Sequence, residues 1–173
     1  MKTRNVIDAL PGYAGEIGRW LWMMEEVRRY TLKTVHGLSQ EVIDWEGPAG
    51  DENCIGTLLY HVALVEIDWL YFDLRGVPYP GPVAAMFPHP DRAGKRLTQV
   101  RAVPLRAHLD RLERSRKVFL ADLVGMTVED WHRPRSPAGA DYEVTPEWVV
   151  FHLVEHEAHH AEQMRFLKAR YRS

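Results

Sequence analysis

The chain has 173 residues, 46% hydrophobic and 27% charged, with a formal net charge of -2 at pH 7. That length suits one domain spanning residues 1-173 with a single core, and the near-neutral charge offers no basic footprint for nucleic acid. The single cysteine, Cys54, excludes an internal disulfide, no apolar run approaches the roughly 18 residues of a membrane span, and Met1-Lys2-Thr3-Arg4-Asn5 leads into no apolar signal core, so a cytoplasmic location is expected.

In chain order, Ile17, Trp20, Leu21, Met24, Val27, Thr31 and Val35 recur at the three-and-four spacing of an amphipathic helix. A second helix is predicted from Ile55 through Leu58, Leu59, Val62 and Trp69 to Leu74, with Asn53 as its N-cap and Gly76 past its end. A third runs from Leu105 to Leu123 behind Pro104, carrying Leu109, Leu112 and Phe119 among Arg, Asp and Glu. The fourth opens with Thr145-Pro146-Glu147, an N-cap hydroxyl, a first-turn proline and an acid at the positive helix end. It finishes near Lys168-Ala169-Arg170, where Lys168, Arg170 and Arg172 complement the negative end.

Residues 76–103 hold five of the eleven prolines and little periodicity, so a long irregular connection separates the first helical pair from the second. Such a crossover allows helices 2 and 3 to run parallel. The fold class predicted is all-α, a four-helix bundle, with no strand-like alternation of useful length. The two halves are similar: Gly37-Leu38-Ser39-Gln40-Glu41-Val42-Ile43-Asp44-Trp45 follows the first helix and Gly125-Met126-Thr127-Val128-Glu129-Asp130-Trp131 the third. A weak helical-hairpin repeat and the ordinary reuse of turn residues both account for this.

Four of the nine histidines, His152, His156, His159 and His160, fall within nine positions of the last helix. Imidazole is the commonest protein metal ligand, and residues four apart share a helical face. His156/His160 and His152/His156 are both such pairs, and neither completes a site, since a catalytic zinc keeps three protein ligands. His61, inside the apolar run of helix 2, is either a hydrogen-bonded core histidine or the third ligand, because bundle cores build metal sites from facing helices. His156-Glu157-Ala158-His159-His160 also satisfies the H-E-x-x-H pattern of zinc peptidases, yet only 13 residues follow His160 and the cleft of such an enzyme is not evident. His159 points about 60° from His156 on the helical wheel and suits a supporting role. The tryptophans Trp20, Trp22, Trp69 and Trp148 suit packing, and Cys54 a small buried residue.

The helix containing Ile17–Val35, the Leu38-Ser39 to Trp45 connection, Asn53-Cys54-Ile55-Gly56-Thr57-Leu58-Leu59-Tyr60-His61 and the segment from His152 to Gln163 together resemble the DinB/YfiT-like superfamily. The resemblance implies a four-helix bundle of up-down-down-up course, with a metal triad of one histidine in helix 2 and an H-x-x-x-H pair in helix 4. The matching positions here are His61, His156 and His160. Where many relatives continue with Arg-Gly-Gln, this chain has Ala161-Glu162-Gln163, so only the glutamine matches.

Some similar proteins are thiol transferases or isomerases, which implies a divalent ion (Zn or Ni first, Mn or Fe also acceptable) and a low-molecular-weight thiol as cofactors. A metal held by three histidines can bind a thiolate or lower the pKa of bound water to about 7, which suits a metal-dependent transferase or hydrolase acting on a small-molecule electrophile. Glu157 is the candidate catalytic proton acceptor, with Glu66 as a second. The competing reading is a non-catalytic metal or small-ligand binding module on the same triad. No nucleic-acid or membrane partner is expected, the resemblance implies a homodimer, and the 77–95 loop should border the metal pocket because it leaves the end of the helix bearing His61. Imidazoles must be neutral to bind, so metal release is expected below about pH 6.

Overall fold

The computed structural model describes residues 5–171; Met1 to Arg4 and Arg172, read above, lie outside the described residues. The described residues are mostly helical, with four long segments: α1 (Gly15–Val35), α3 (Ile55–Asp68), α5 (Leu105–Leu123) and α7 (Pro146–Tyr171). Short helices α2 (Gln40–Ile43), α4 (Gly81–Ala84) and α6 (Val128–His132) lie between them. The strand prediction needs one correction: Arg92–Ala93 (β1) and Arg96–Leu97 (β2) pair antiparallel around Gly94, a hairpin of two residues per strand and too short to show alternation in sequence.

Contacts between the long helices fix their directions. Trp20 meets Glu147, Arg28 meets Glu157 and Lys168 reaches the Thr34 carbonyl, so α1 and α7 run the same way. Arg116 contacts Glu66 and Arg75 pairs with Asp122, so α5 follows the direction of α3. His61 meets His156 and His160 while Trp69 meets Trp148, so α3 and α7 oppose each other.

Local chemistry explains the helix ends. The Thr145 hydroxyl accepts from the Trp148 N–H, the cap read from sequence. For α3 the cap is Cys54 and not Asn53: its Sγ accepts from the Thr57 N–H at 3.4 Å, and the buried thiol is pushed up in pKa by desolvation. Predicted helix 2 also changes form, since Trp69–Leu74 continues α3 as a π-helical turn. Gly56 lets α3 approach the crossover, because a Cβ there would stand 2.9 Å from the Val100 carbonyl oxygen.

The two similar connectors each hold a short helix and send a tryptophan inward. Trp131 is fully buried in a cluster with Ile17, Leu21, Ile67, Phe119 and Val149, whereas Trp45 packs against a second cluster around Leu58, Leu112 and Leu167. The α1 stripe buries Arg28 and leaves Val27 only partly covered, and α5 likewise buries Arg116 between Leu112 and Phe119. Ile55–Leu74 is long and apolar enough to cross a membrane by composition, but 78% of that window is buried inside the fold.

Candidate metal centre

Helices α3 and α7 bring His61, His156 and His160 to one point. The Nε2 atoms of His61 and His156 are 3.1 Å apart, and those of His156 and His160 are also 3.1 Å apart. His61 is buried and the other two are half-buried. Two of the three are braced on the far nitrogen: His61 Nδ1 lies 2.6 Å from Asp91 Oδ1, and His160 Nδ1 lies 2.8 Å from Gln163 Oε1.

These braces set the tautomers. Burial alone would raise the Asp91 carboxyl, but the hydrogen bond and charge of His61, with Arg92, hold it below the usual value, so it is an acceptor. His61 therefore donates through Nδ1–H, which in the neutral ring leaves the Nε2 lone pair turned inward. The Gln163 amide oxygen does the same for His160, while its amide nitrogen lies 2.9 Å from His159 Nε2. Of the three converging Nε2 atoms, only that of His156 has a tautomer left to carry a proton. One hydrogen cannot satisfy two acceptor neighbours, so a lone pair faces a lone pair unless a cation stands between them. The donor set thus fits a divalent metal ion.

Burial, followed by the charges of neighbouring imidazoles, pushes His156 down to about 2. Burial and then His61 and His159 outweigh the Gln163 hydrogen bond to bring His160 down to about 4. Both are neutral at physiological pH, the form a metal requires.

Glu157 and Glu66, named as proton acceptors, are directed elsewhere. Arg28 donates through Nε to Glu157 at 2.6 Å and through a terminal nitrogen to Glu66 at 2.8 Å. Arg116 bridges the same two carboxylates, at 2.8 Å to Glu66 and 3.1 Å to Glu157. All four side chains are buried, and the two arginines more than reverse the rise that burial would impose on Glu157. The general-base role for Glu157 is corrected on this ground: its oxygens are held by guanidinium groups, and its adjacency to His156 in sequence puts it on a different side of α7. The network ties all four long helices together beside the triad.

His152 does not join the cluster. Its ring stacks on Trp148 at 5.2 Å, meets Trp69 edge-on at 5.1 Å, and its Nδ1 faces Glu155. His159 is exposed; it meets the site through Gln163 and through an edge-on ring contact with His160 at 5.4 Å. Exposed His132 lies 2.9 Å from Glu16 and 3.3 Å from Glu147, so that a carboxylate faces each ring nitrogen at the helix ends.

Two hollows adjoin the residues that brace the triad, one at Gln163 and one at Asp91. One of about 420 Å³ is lined by Gln163, Leu58, Phe166 and the hairpin cations. A smaller one of about 240 Å³ is lined by Asp68, Leu64, Tyr79, Phe87 and Asp91. The Asp68 carboxyl is raised to about 7 by burial, then by Asp91 and Asp73, against an opposing effect of His61. Sequence reading missed Asp68, Asp91 and the two buried arginines. The arginines had a signal, since Arg28 and Arg116 occupy core positions of their helical stripes; Asp91, in an aperiodic loop, had none.

A helical protein in which two facing helices bring three imidazoles to one point fits a metal-binding protein. The chain belongs to the DinB superfamily, whose family model matches residues 23–164, a span that includes all three histidines, Asp91 and Gln163. No curated protein matches the chain.

Proposed function

We propose that this protein is a DinB-type four-helix bundle of up-down-down-up course that holds a divalent metal ion on His61, His156 and His160. We further propose that it uses the ion as a metal-dependent transferase or hydrolase toward a small electrophile. The observation that carries the reading is the meeting of three Nε2 atoms from two facing helices, 3.1 Å apart from His61 to His156 and from His156 to His160. The helix directions and the crossover of residues 76–103 support the bundle course. A bound divalent ion would supply Lewis acidity and a site for a thiolate or hydroxide. The chain's own residues do the rest: Asp91 and Gln163 hold two ligands in the metal-binding tautomer, and the Arg28/Arg116 network fixes the spacing of α3 and α7.

A binding module without catalysis is the second reading, favoured by one observation: Glu157 and Glu66 are both occupied by arginines. A low-molecular-weight thiol retained by purified protein would favour the enzyme. A cytoplasmic location and a homodimer are part of the proposal, the latter supported by exposed Trp148, Phe151 and Phe166 along α7. The test is elemental analysis of protein purified without a histidine tag. Stoichiometric divalent metal in wild type, lost in His160→Ala, is expected. Full metal content in His61→Ala would sink the triad.

A further inference from the structure

The larger hollow beside the triad has a polarity of its own. Arg92, Lys95 and Arg96, three cations within five residues, project from the β1–β2 hairpin onto one wall. The glutamine that orients His160 also lines the hollow, with Phe166 and Leu167 of the same helix. The first turn of α3, a 14-residue helix, adds its positive end at Asn53. Two carboxylates, Asp51 and Glu52, also line the hollow, but Arg170 binds both oxygens of Glu52 at 2.7 Å. Positive charge therefore predominates. Arg92 also lies near Asp91, at 3.3 Å, whereas no ion pair is recorded for Lys95 or Arg96 among the described residues.

The hairpin is held in place at both ends. At its start Asp91 accepts from His61, and the Asp91 carbonyl accepts from the Thr98 N–H at 2.9 Å. At its end Leu97 is buried in the cluster of Leu58, Leu112 and Leu167. The three cations are thus positioned by the same residue that orients a metal ligand. The anchored backbone fixes where the three exposed cations stand, while their side chains remain free to adjust to a ligand.

We infer that this hollow is the substrate vestibule of the metal centre and that it selects a small molecule bearing an anionic group, a carboxylate, sulfonate or phosphate, recognised by Arg92, Lys95 and Arg96. The inference rests on the metal-centre reading proposed above. The neutral or apolar remainder of the ligand lies against Leu58, Phe166 and Leu167.

The experiment compares 2-sulfanylethanesulfonate with 2-sulfanylethanol, thiols of the same carbon chain that differ in charge, on protein loaded with Co(II). The near-ultraviolet thiolate-to-cobalt absorption reports binding, the thiol proton leaving to buffer. Wild type should bind the sulfonate about tenfold more tightly, a preference that weakens as salt is added. The exposed double variant Lys95→Glu/Arg96→Glu should lose the preference while keeping its cobalt content and its affinity for the neutral thiol. Equal affinities in wild type, or a preference that survives in the variant, would overturn the inference. If cobalt does not bind, the metal reading fails by itself, and the vestibule is judged on metal-free protein by amide NMR. Sulfonate-induced shifts at residues 92–97 and 163 then sustain the anion site, and their absence overturns it.

Discussion

Asp91 Oδ1 stands 2.6 Å from His61 Nδ1, joining the crossover loop to the helix that carries the buried member of the triad. A carboxylate behind a ligating imidazole fixes its tautomer, fixes its ring orientation and raises its basicity. Asp91→Ala is therefore expected to lower metal affinity by about 10- to 100-fold without abolishing binding. Because Asp91 is half exposed and lies in a loop, helical content should stay at wild-type level by circular dichroism. Unchanged metal affinity in this variant would remove Asp91 from the site.

The triad itself makes a graded prediction. His61→Ala and His160→Ala should lose metal to a similar extent, since each removes one of three convergent nitrogens. His159→Ala should lose less, since His159 is exposed and supports the site from outside, through Gln163 and the edge of His160. His152→Ala should leave metal content near wild type, because that ring is packed between Trp148 and Trp69. A loss at His152 equal to that at His156, with His160 dispensable, would place the ion one turn nearer the start of α7.

Much of this was legible because helical periodicity survives in the sequence. The predicted 105–123 helix matches α5 to the residue, and α7 starts behind the Thr145 cap as its chemistry requires. The facing of His61 with His156 and His160 followed from spacing together with family resemblance. What escaped depended on contacts between distant segments. Asp91 reaches His61 only after an irregular 28-residue crossover folds back, and no local pattern encodes that. Glu157 was misread because adjacency to His156 suggested shared function, whereas successive helical residues point about 100° apart. Asn53 was preferred to Cys54 as cap because amide caps are common, yet the thiol lies at the position where a side chain can meet the Thr57 N–H.

The buried ion network predicts a separation of stability from metal binding. Arg28→Met leaves Glu157 and Glu66 short of one cation, and an uncompensated buried charge costs about 3–5 kcal/mol. Chemical denaturation should register a loss of that size. Glu157→Gln keeps the shape and should destabilise the fold while leaving metal stoichiometry intact at a temperature well below unfolding. If Glu157→Gln abolished metal-dependent chemistry in a folded, metal-loaded protein, a proton-transfer role for Glu157 would be restored.

Reference histidine values placed metal release below about pH 6. The site moves that expectation, because His156 is pushed to about 2 and His160 to about 4. Proton competition at these two ligands should begin only as pH approaches the His160 value, so their share in holding the metal is expected to persist at pH 5 and to weaken near pH 4. The same shifts act on the metal-free chain. Both pKa values are depressed in the fold, so the unfolded chain takes up protons first, and this contribution to stability is lost as pH falls from about 6.5 toward 4. Equilibrium dialysis across this range checks the first statement. Half-release at pH 6 or above would contradict it.

Asp68 should titrate with the opposite sign. Its carboxyl is raised to about 7 by burial and by Asp91 and Asp73, with His61 opposing, against an ordinary value of 3.8. The fold therefore prefers the neutral acid, and the stability this preference confers is full below the unfolded value, declines as pH rises, and is gone above about 7. Asp68→Asn supplies a permanently neutral side chain of the same shape. It should raise the melting temperature of EDTA-treated protein by about 3 °C at pH 8, a modest figure because the group keeps some contact with solvent. At pH 3 the variant and wild type should melt together, since Asp68 is then protonated in the fold and largely so in the unfolded chain. Chelation keeps metal release out of the comparison. A difference between the two proteins that is the same at both pH values would show that the carboxyl does not change protonation across this interval.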